Sequence, residues 1–391
     1  MKEYREQIHA YVDAHKEEMI ATWRDLVNLE GYFEEKENVE KVAEYLKAAF
    51  EQEGFECHIE PSPVNRAGVL VGILGKDRPN APVVFSGHMD TVHPTGCFGG
   101  PDLFRIENGK AFGPGVLDMK GGIVIALYVA KALNQLGFNE RPIKIIFAGD
   151  EEGDHEGTDF ANYMGQQAKG AVCAFNMETG NPENRLCVGR KTLYNVNLKV
   201  TGVGGHSGND FTKGANAVHE AVMKTYHMIP LTDLNAGSTV TTSILKGGDI
   251  VARIPDFCEA LYDVRYATAA EGARLKKCVT EIMETTYVPG TTSKYEIIEA
   301  NFPPYEETED VKRLLSFVNQ VTEENGFPAF GSVKLGGASD AGNIQRAGVP
   351  VLCSCGVAGE HNHNLREYAI VQSLFDRTEI WALVVLALGQ F

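Results

Sequence analysis

The residues best suited to chemistry in this 391-residue chain are histidines and acids at the ends of short apolar segments. Their apolar runs and flanking glycines predict buried β-strands. Ligands of open parallel sheets bind beyond the carboxyl ends of the strands, so residues at these ends carry most of the functional information. Four predicted strands end in such residues: His88, Asp90 and His93 at 81–88; Asp150, Glu151 and Glu152 at 141–149; Glu178 at 170–177; His361 and His363 after 349–356.

A further candidate, Asp118, lies in the glycine-rich turn GPGVLDMKGG. Imidazole and carboxylate groups without thiolates form a ligand set typical of zinc or its first-row neighbours. Two ions fit better than one, because ions about 3.5–4 Å apart need a bridging carboxylate and about two further ligands each. One shared acid, with one histidine and one acid per ion, uses five of the candidates. The pattern therefore predicts two zinc ions, with cobalt or manganese as alternatives.

Glu151 and Glu152 are adjacent, yet they need not serve the same purpose. Successive side chains at a strand end point in roughly opposite directions. One can bind metal while the other stays free as the general base of metal-assisted hydrolysis, and later as the acid that protonates the leaving amine. Asp90 is placed to hold the other ring nitrogen of His88. Two groups are expected to take no part: His155 and Glu156 on the loop surface, and His9, His15, His58, His219 and His227 in structural positions.

Composition excludes several classes of protein. A formal charge of -17, without a long basic run, argues against nucleic acid as a partner. No apolar stretch of about 18 residues is present to span a bilayer, and the charged N-terminal segment does not resemble a signal peptide. We therefore expect a cytoplasmic protein without a membrane partner. The eight cysteines include no CxxC pair and are predicted to be reduced core thiols.

The chain is longer than one hydrophobic core usually allows, so two domains are expected. Alternating strands and helices predict an α/β domain with a mostly parallel sheet. After about residue 188 the order changes to β-α-β-β-α-β, which is typical of a ferredoxin-like unit. The predicted organisation is a discontinuous catalytic domain of residues 1–187 and 303–391, interrupted by a smaller unit of residues 188–302.

The boundaries of the main elements can also be predicted. We expect helices over residues 4–29, 37–54, 121–137, 214–228, 269–286, 306–325 and 367–389. We expect strands over residues 67–75, 81–88, 141–149, 170–178, 191–202, 238–246, 257–266, 293–299 and 349–356.

From about residue 65 to its end, the chain carries a series of motifs that are specific in combination. They are GHMDTVHP, GPGVLDMKGG, DEEGD, NMETG, TGVGGHSGNDFTKGANAV, LGGASDAGN and HNHNLREY. In order and spacing they resemble the two-zinc exopeptidase and amidohydrolase family, which includes bacterial glutamate carboxypeptidase, peptidase T, aminoacylases and succinyl-diaminopimelate desuccinylase. The resemblance implies that the inserted unit is a lid, which usually also forms the interface of a homodimer.

The resemblance assigns roles to the candidate residues. His363 is the favoured late histidine, on its spacing from Glu367, and His361 is the alternative. A cis peptide bond is implied between Asp118 and Met119. The remaining implied roles are one zinc on His88 and Glu178, the other on Glu152 and the late histidine, Asp118 as the bridge, Glu151 as the base and Asp90 as the residue that orients His88.

The resemblance also implies groups that bind the substrate. His206 would reach from one subunit into the partner's site and stabilise the oxyanion. Arg265 would bind the substrate carboxylate, although it could instead pair with Asp263 or Asp256. The loop LGGASD would supply further contacts: backbone groups of Gly336, Gly337 and Ser339 to the substrate carboxylate, and Asp340 as a loop-fixing residue.

The substrate is less well defined than the chemistry. Ala252 stands where many relatives have asparagine, and Arg253 is an alternative source of the lost polar contact. Arg190, at the start of the inserted unit, makes the chain similar to the glutamate carboxypeptidase branch. We therefore expect hydrolysis of small peptides or N-acyl amino acids with a free carboxylate. The alternatives are an aminoacylase, a desuccinylase, a peptidase T-like tripeptidase or, remotely, an inactive scaffold, which the complete set of site residues disfavours.

Overall fold

The computed structural model describes residues 2–100 and 102–391, which form two compact units. Unit 1 comprises Met1–Val188, Glu307–Lys334 and Ser339–Phe391. Unit 2 comprises Gly189–Glu306 and Leu335–Ala338. The chain therefore leaves unit 1 twice, once for a long insertion and once for a four-residue segment.

The helices and strands of the described residues are numbered in chain order. The α-helices are α1 (Lys2–Asn28), α2 (Lys36–Gln52), α3 (Gly121–Gln135), α4 (Phe160–Ala168), α5 (Ala217–Met228), α6 (Ala269–Glu284), α7 (Glu309–Glu324), α8 (Ala341–Arg346) and α9 (Val371–Ala387). The strands are β1 (Glu56–Glu60), β2 (Val69–Leu74), β3 (Val83–His88), β4 (Arg105–Glu107), β5 (Lys110–Phe112), β6 (Ile143–Ala148), β7 (Cys173–Asn176), β8 (Arg185–Arg190), β9 (Thr192–Thr201), β10 (Gly205–His206), β11 (Thr239–Gly247), β12 (Arg253–Ile254), β13 (Phe257–Tyr266), β14 (Thr292–Glu299), β15 (Gly331–Leu335), β16 (Val351–Leu352), β17 (Gly359–Glu360) and β18 (Tyr368–Ile370).

Unit 1 is built on a sheet with the strand order β1-β2-β6-β3-β7-β16. The pairs β6–β3, β3–β7 and β7–β16 are parallel, whereas β1–β2 and β2–β6 are antiparallel. Strands β3 and β7 are buried along their whole length, which explains their continuous apolar sequences. The mostly parallel sheet confirms the predicted α/β class.

Two apolar helices, α3 and α9, pack against each other in the core of unit 1. Twelve of the 15 residues of α3 and 12 of the 17 residues of α9 are buried, as expected for helices that lie mostly within a core. Helix α9 also fixes the loop after β16: the indole N–H of Trp381 donates to the carbonyl of Cys355 at 2.8 Å, and the Arg377 guanidinium donates to the carbonyl of Ser354 at 2.7 Å. This loop leads towards His363.

A smaller sheet in unit 1 has the order β17-β18-β5-β4. It corrects the predicted helix over 367–389, because residues 368–370 pair with β5 and α9 begins only at Val371. The loop between β17 and β18 contains the HNHNLRE segment, so the pairing of these two strands anchors both ends of that loop.

Unit 2 has a four-stranded antiparallel sheet of order β11-β13-β9-β14, with α5 and α6 packed on it. Strand β9 alternates buried and more exposed residues, as its sequence predicts for a sheet with one solvated face. The core includes Leu198, Val264 and Leu275. This is the strand order of the predicted ferredoxin-like unit.

Some predictions at the level of elements are wrong. Strand β1 was not foreseen, because its sequence ECHIE is polar and only partly buried. The expected strand 349–356 is reduced to β16, where only two residues pair with β7. None of the eight cysteines forms a disulfide, but Cys97 is exposed rather than in a core, since it lies in a glycine-rich loop. Among the described residues, no helix has the length and apolar character needed to cross a membrane.

Candidate metal centre

The ends of three neighbouring strands bring the candidate residues together. His88 is the last residue of β3, Glu151 and Glu152 lie in the turn after β6, and Glu178 follows β7 by two residues. Because β6, β3 and β7 are adjacent and parallel, their carboxyl ends meet at one edge of the sheet. Asp118 lies in the turn before α3, and the peptide bond between it and Met119 is cis, as expected.

Among these residues, two groups of potential ligands share Asp118. One contains His88, Asp118 and Glu178, and the other contains Asp118, Glu152 and His363. Within each group the ligand atoms lie within 4.8 Å of one another. The Oδ1 atom of Asp118 is 3.2 Å from His88 Nε2, and its Oδ2 atom is 3.4 Å from His363 Nε2. Asp118 is thus shared between the groups, one oxygen to each.

The chemistry of the cluster fits bound cations. Buried carboxylates are unfavourable when they crowd together without compensating positive charge. In the protein without metal, protons supply part of that charge: burial and the nearby Asp118 raise the pKa of Glu152 to about 7, and hydrogen bonds to Asp118 and Glu152 raise the pKa of His363 to about 11. The buried Oε1 atom of Glu152 has no hydrogen-bond partner among the described residues. An oxygen of this kind is available to a metal ion.

Asp90 holds two members of this cluster, His88 and Glu152, in position. His88 Nδ1 lies 3.1 Å from the carbonyl oxygen of Asp90 and 3.4 Å from its Oδ1 atom. A proton on Nδ1 is therefore bonded to Asp90, and the lone pair of Nε2 remains for a metal. The Oδ2 atom of Asp90 accepts the backbone N–H of Glu152 at 2.9 Å. One buried residue thus orients a histidine through its backbone carbonyl, and through its carboxylate the turn that carries the two glutamates.

Glu367 is a second supporting carboxylate, and it entered the sequence analysis only as a marker of spacing. It is fully buried and its Oε1 atom accepts the backbone N–H groups of Leu117, at 2.8 Å, and Asp118, at 3.0 Å. Its Oε2 atom lies 2.7 Å from Nε2 of His93. His93 therefore belongs to the support of the Asp118 turn and lies outside both ligand groups.

With this geometry established, the chain can be compared with known proteins. The model of peptidase family M20/M25/M40 matches residues 84–387, which is most of the chain. The chain belongs to this family. It is accordingly a metal-dependent exopeptidase or amidohydrolase, as the sequence predicted.

Individual M20 proteins are similar along nearly the whole chain. Carboxypeptidase G2 from Pseudomonas sp. (strain RS-16) is 28% identical over 378 residues, covering 95% of this chain and 89% of that protein. The aminopeptidase PepT structure from Bacillus cereus superposes with a TM-score of 0.81 at 19% identity, covering 96% and 99%. The Bacillus subtilis YXEP protein, described as a dinuclear metal binding peptidase, has a TM-score of 0.69 at 14% identity, covering 97% and 100%.

Two further histidines of unit 1, His361 and His155, lie outside the groups of potential ligands. The ring of His361 packs edge-on against Tyr368, with centroids 5.9 Å apart, and the ligand groups include His363 instead. His155, predicted to be exposed, is fully buried between Asp150 and Asp340. The prediction for His155 was wrong because its partner Asp340 lies 185 residues away in sequence. Glu156 is exposed, as expected.

The predicted substrate-binding residues are distributed over both units. His206, Arg265, Gly336 and Gly337 belong to unit 2 and Ser339 to unit 1. Arg265 pairs with Asp263 at 2.9 Å, which was one of the two alternatives for it, and its Nη1 atom is 3.4 Å from the carbonyl oxygen of Gly336. Both glycines are exposed, whereas Ser339 is buried with its hydroxyl 3.7 Å from the sulfur of Cys353. Arg253 pairs with two acids of unit 2: Asp249 at 3.0 Å and Asp256 at 2.8 Å.

The pKa shifts predict how the stability of the metal-free protein depends on pH. The pKa of Glu152 rises from the ordinary 4.5 to about 7 on folding, and that of His363 rises from 6.5 to about 11. Between pH 5 and 8 the folded state therefore binds more protons than the unfolded state at both groups, so stability falls as pH rises. We expect chelator-treated protein to melt several degrees lower at pH 8 than at pH 5.

Two controls belong to this measurement of the melting temperature. The Glu152→Gln variant should show a smaller dependence on pH, because the titrating carboxyl is gone. Saturating zinc should stabilise the native protein more at pH 8 than at pH 5, since its ligands bind in their deprotonated forms. A melting temperature of the metal-free protein that rises over this interval would contradict the assignment.

Proposed function

We propose that this M20 protein is a carboxypeptidase-type hydrolase, which cleaves a peptide or related amide bond close to a free carboxylate in small peptides or N-acyl amino acids. The observation that carries the proposal is the sharing of Asp118 between two groups of ligands, with the carboxylate of Glu151 beside them. A third potential group joins His88, Glu151 and Glu152, so the Glu151 carboxylate lies close to His88 and Glu152.

Two divalent ions, with zinc as the first choice, would be held by five residues. His88 and Glu178 would hold one ion, Glu152 and His363 the other, and Asp118 would bridge them. The described dinuclear character of the YXEP protein supports two ions over one. When bound, the ions would polarise the scissile carbonyl and make water in the site more acidic.

Glu151 is the proposed proton carrier. Burial raises the pKa of its carboxyl group well above the usual value for glutamate, against the opposing effect of His88. A base is most effective when its pKa lies near the working pH. Glu151 would take a proton from the attacking water and deliver it to the nitrogen of the leaving amine, so that it ends the cycle ionised as it began.

His206 is suited to stabilise the oxyanion because of its tautomer. Its Nδ1 atom accepts the backbone N–H groups of Gly208, at 3.1 Å, and Asn209, at 3.2 Å. A nitrogen that accepts hydrogen bonds carries no proton, so the neutral ring has its proton on Nε2. His206 is exposed on unit 2 and would donate this N–H to the oxyanion in the site of a partner subunit.

The substrate carboxylate would be bound by groups in unit 2. Arg265 is held in place by Asp263 and lies next to the exposed Gly336. Arg190 donates to the carbonyl oxygen of Ala338 at 3.2 Å, so two guanidinium groups adjoin the segment 335–338. Planar guanidinium groups recognise carboxylates well. The similarity to carboxypeptidase G2 supports a preference for a free C-terminal carboxylate.

A homodimer through unit 2 is proposed on the basis of an apolar stripe along and just beyond α5. Val222, Tyr226 and Ile229 recur at helical spacing and are 44%, 65% and 59% exposed. Strand β11, at the edge of the unit 2 sheet, carries the exposed Leu245. Contiguous exposed apolar residues mark interaction surfaces, and a surface repeated in two copies can pair about a two-fold axis.

The Glu151→Gln variant tests the mechanism. It keeps the shape of the side chain and removes the base, so kcat should fall by several powers of ten while the protein still binds two equivalents of zinc. Steady-state kinetics and metal analysis of the same preparation measure both quantities. Glu156→Gln, an exposed neighbour, is the matched control and should behave as the unaltered protein. Normal turnover of the Glu151 variant would overturn the assignment of the base.

The substrate class can be tested with zinc-loaded and cobalt-loaded protein. A dipeptide library, a tripeptide set and a set of N-acyl amino acids should be digested and analysed by mass spectrometry. We expect cleavage that depends on a free C-terminal carboxylate, with the corresponding amides resistant. Arg265→Lys should raise KM by at least tenfold with a smaller change in kcat, because bidentate binding is lost.

The matched control for Arg265 is Arg274→Lys. Arg274 is also an arginine of unit 2 paired with an acid, Glu271, at 2.6 Å. The Arg274→Lys variant should leave KM unchanged. Efficient hydrolysis of C-terminal amides, or faster cleavage from the N-terminus of tripeptides, would favour a peptidase T-like activity over the proposed one.

Mixing two inactive variants tests the dimer and the role of His206 together. In a mixed dimer of Glu151→Gln and His206→Ala chains, one of the two sites combines an intact Glu151 with an intact His206 from the partner. Random exchange of subunits should therefore restore about a quarter of full activity. Adding Tyr226→Glu to both chains should give monomers by analytical ultracentrifugation and should abolish the activity that mixing restores. Mixtures that remain inactive despite proven subunit exchange would show that His206 does not act across the dimer.

A further inference from the structure

A buried charged array lies behind the turn that carries Glu151. The Nδ1 atom of His155 is 2.6 Å from Oδ1 of Asp150, and its Nε2 atom is 3.0 Å from Oδ1 of Asp340. All three side chains are at most 1% exposed. None of the three residues belongs to a group of potential metal ligands.

The contacts define the charge of the imidazole. Each ring nitrogen faces a carboxylate oxygen, and such oxygens accept hydrogen bonds, so both nitrogens carry a proton and the ring is a cation. Two neighbouring groups add to the array: the Thr158 hydroxyl donates to the outer oxygen of Asp150, Oδ2, at 3.2 Å, and the Asn343 amide donates to Asp340 Oδ1, the oxygen that also faces His155, at 3.0 Å. Three charges are thus kept out of water.

A contribution to stability alone does not explain such an array. Removing charged groups from water costs several kcal/mol each, and a well-packed apolar replacement is often neutral or stabilising. An ionic bridge with two directed hydrogen bonds fixes the relative position of the groups at its ends. The role of this bridge can therefore be inferred from the two groups that it connects.

One end of the bridge holds the turn of the general base. Asp150 immediately precedes the short helical turn Glu151–Gly153, and its carbonyl accepts the N–H groups of Gly153 and His155, both at 3.2 Å. Asp154 and His155 both have left-handed backbone conformations, with φ of 55° and 53°. Residues other than glycine adopt this conformation at a cost, so consecutive examples need support from their surroundings.

The carboxylate of Glu151 has no direct support of its own. None of the described residues makes a hydrogen bond to it, although Asp90 holds the backbone of Glu152. Its position is therefore set by the backbone of the turn. The other end of the bridge, Asp340, is the second residue of unit 1 after the segment 335–338 and begins the first turn of α8.

We propose that His155 is a positioning residue for the general base. Its imidazolium ties Asp150 to Asp340, and this bridge fixes the Glu151 turn against the start of α8. The proposal rests on the role of Glu151 proposed above. His155 does not touch the substrate or the metal ligands and acts only through the position of the turn.

The test compares His155→Leu with the double variant His155→Leu/Asp340→Asn. The single change leaves two buried aspartates without their cation, so it lowers the melting temperature and can prevent folding. The double change keeps the net charge of the array at its original value, because one cation and one anion are removed together. Only Asp150 then remains buried without a cation, and the Thr158 hydroxyl still donates to it, so the double variant should fold more readily than the single variant while lacking the bridge.

We expect the double variant to show a kcat about 10²-fold below that of the unaltered protein, because small displacements of a catalytic group have effects of this size. The kcat is measured at saturating zinc and per folded chain, with the dipeptide cleaved best by the unaltered protein. KM should change less than threefold. Glu156→Gln, from the same turn, should retain full activity.

The outcomes separate this inference from the proposed function. A kcat that returns to within twofold of normal in the folded double variant would overturn the positioning role and leave only a role in stability. Absence of hydrolysis by the unaltered protein, or normal turnover of Glu151→Gln in the same assay, would instead overturn the proposed function. Low kcat in the folded double variant together with an inactive Glu151→Gln supports both.

Discussion

The sharing of one carboxylate between two clusters is the constraint on which the site depends. Asp118 directs one oxygen to His88 and the other to His363, and both histidines lie within 3.5 Å of it. A carboxylate can do this only if its own backbone is held firmly. The turn around Asp118 is held by Glu367, which accepts two consecutive N–H groups from it.

Each important position of the site is supported by a buried residue that lies outside the groups of potential metal ligands. Glu367 supports the Asp118 turn, and Asp90 supports both His88 and the backbone of Glu152. The bridge through His155 supports the turn of Glu151 from the far side. The side chains proposed to bind metal or move protons are thereby positioned through backbone turns, whose geometry is less variable than that of long side chains.

The sequence was most informative where a local pattern determines the structure. Continuous apolar segments such as β3 and β7 predicted a buried parallel sheet, and strict alternation in β9 predicted a sheet with one solvated face. Strand β16 and the start of α9 were misjudged, because pairing with distant strands rather than local composition sets their limits.

The same distinction applies to the site. Acids and histidines at strand ends were found readily, because parallel strands must bring their ends together. Glu367 and His155 act through partners that are 249 and 185 residues away in sequence, and no local pattern indicates such contacts. The burial of Cys97 was predicted wrongly for a related reason. The apolar character of a cysteine does not show whether the loop that carries it is buried or exposed.

The insertion of unit 2 has a consequence for how the chain folds as it leaves the ribosome. The core of unit 2 lies between Tyr194 and Met283, so it can assemble before the residues after 300 are added. Unit 1 must wait, because β16 and the helix that carries Trp381 come from those later residues. During that interval its apolar sheet edge is uncovered, and this is the stage at which the nascent chain needs most protection from association.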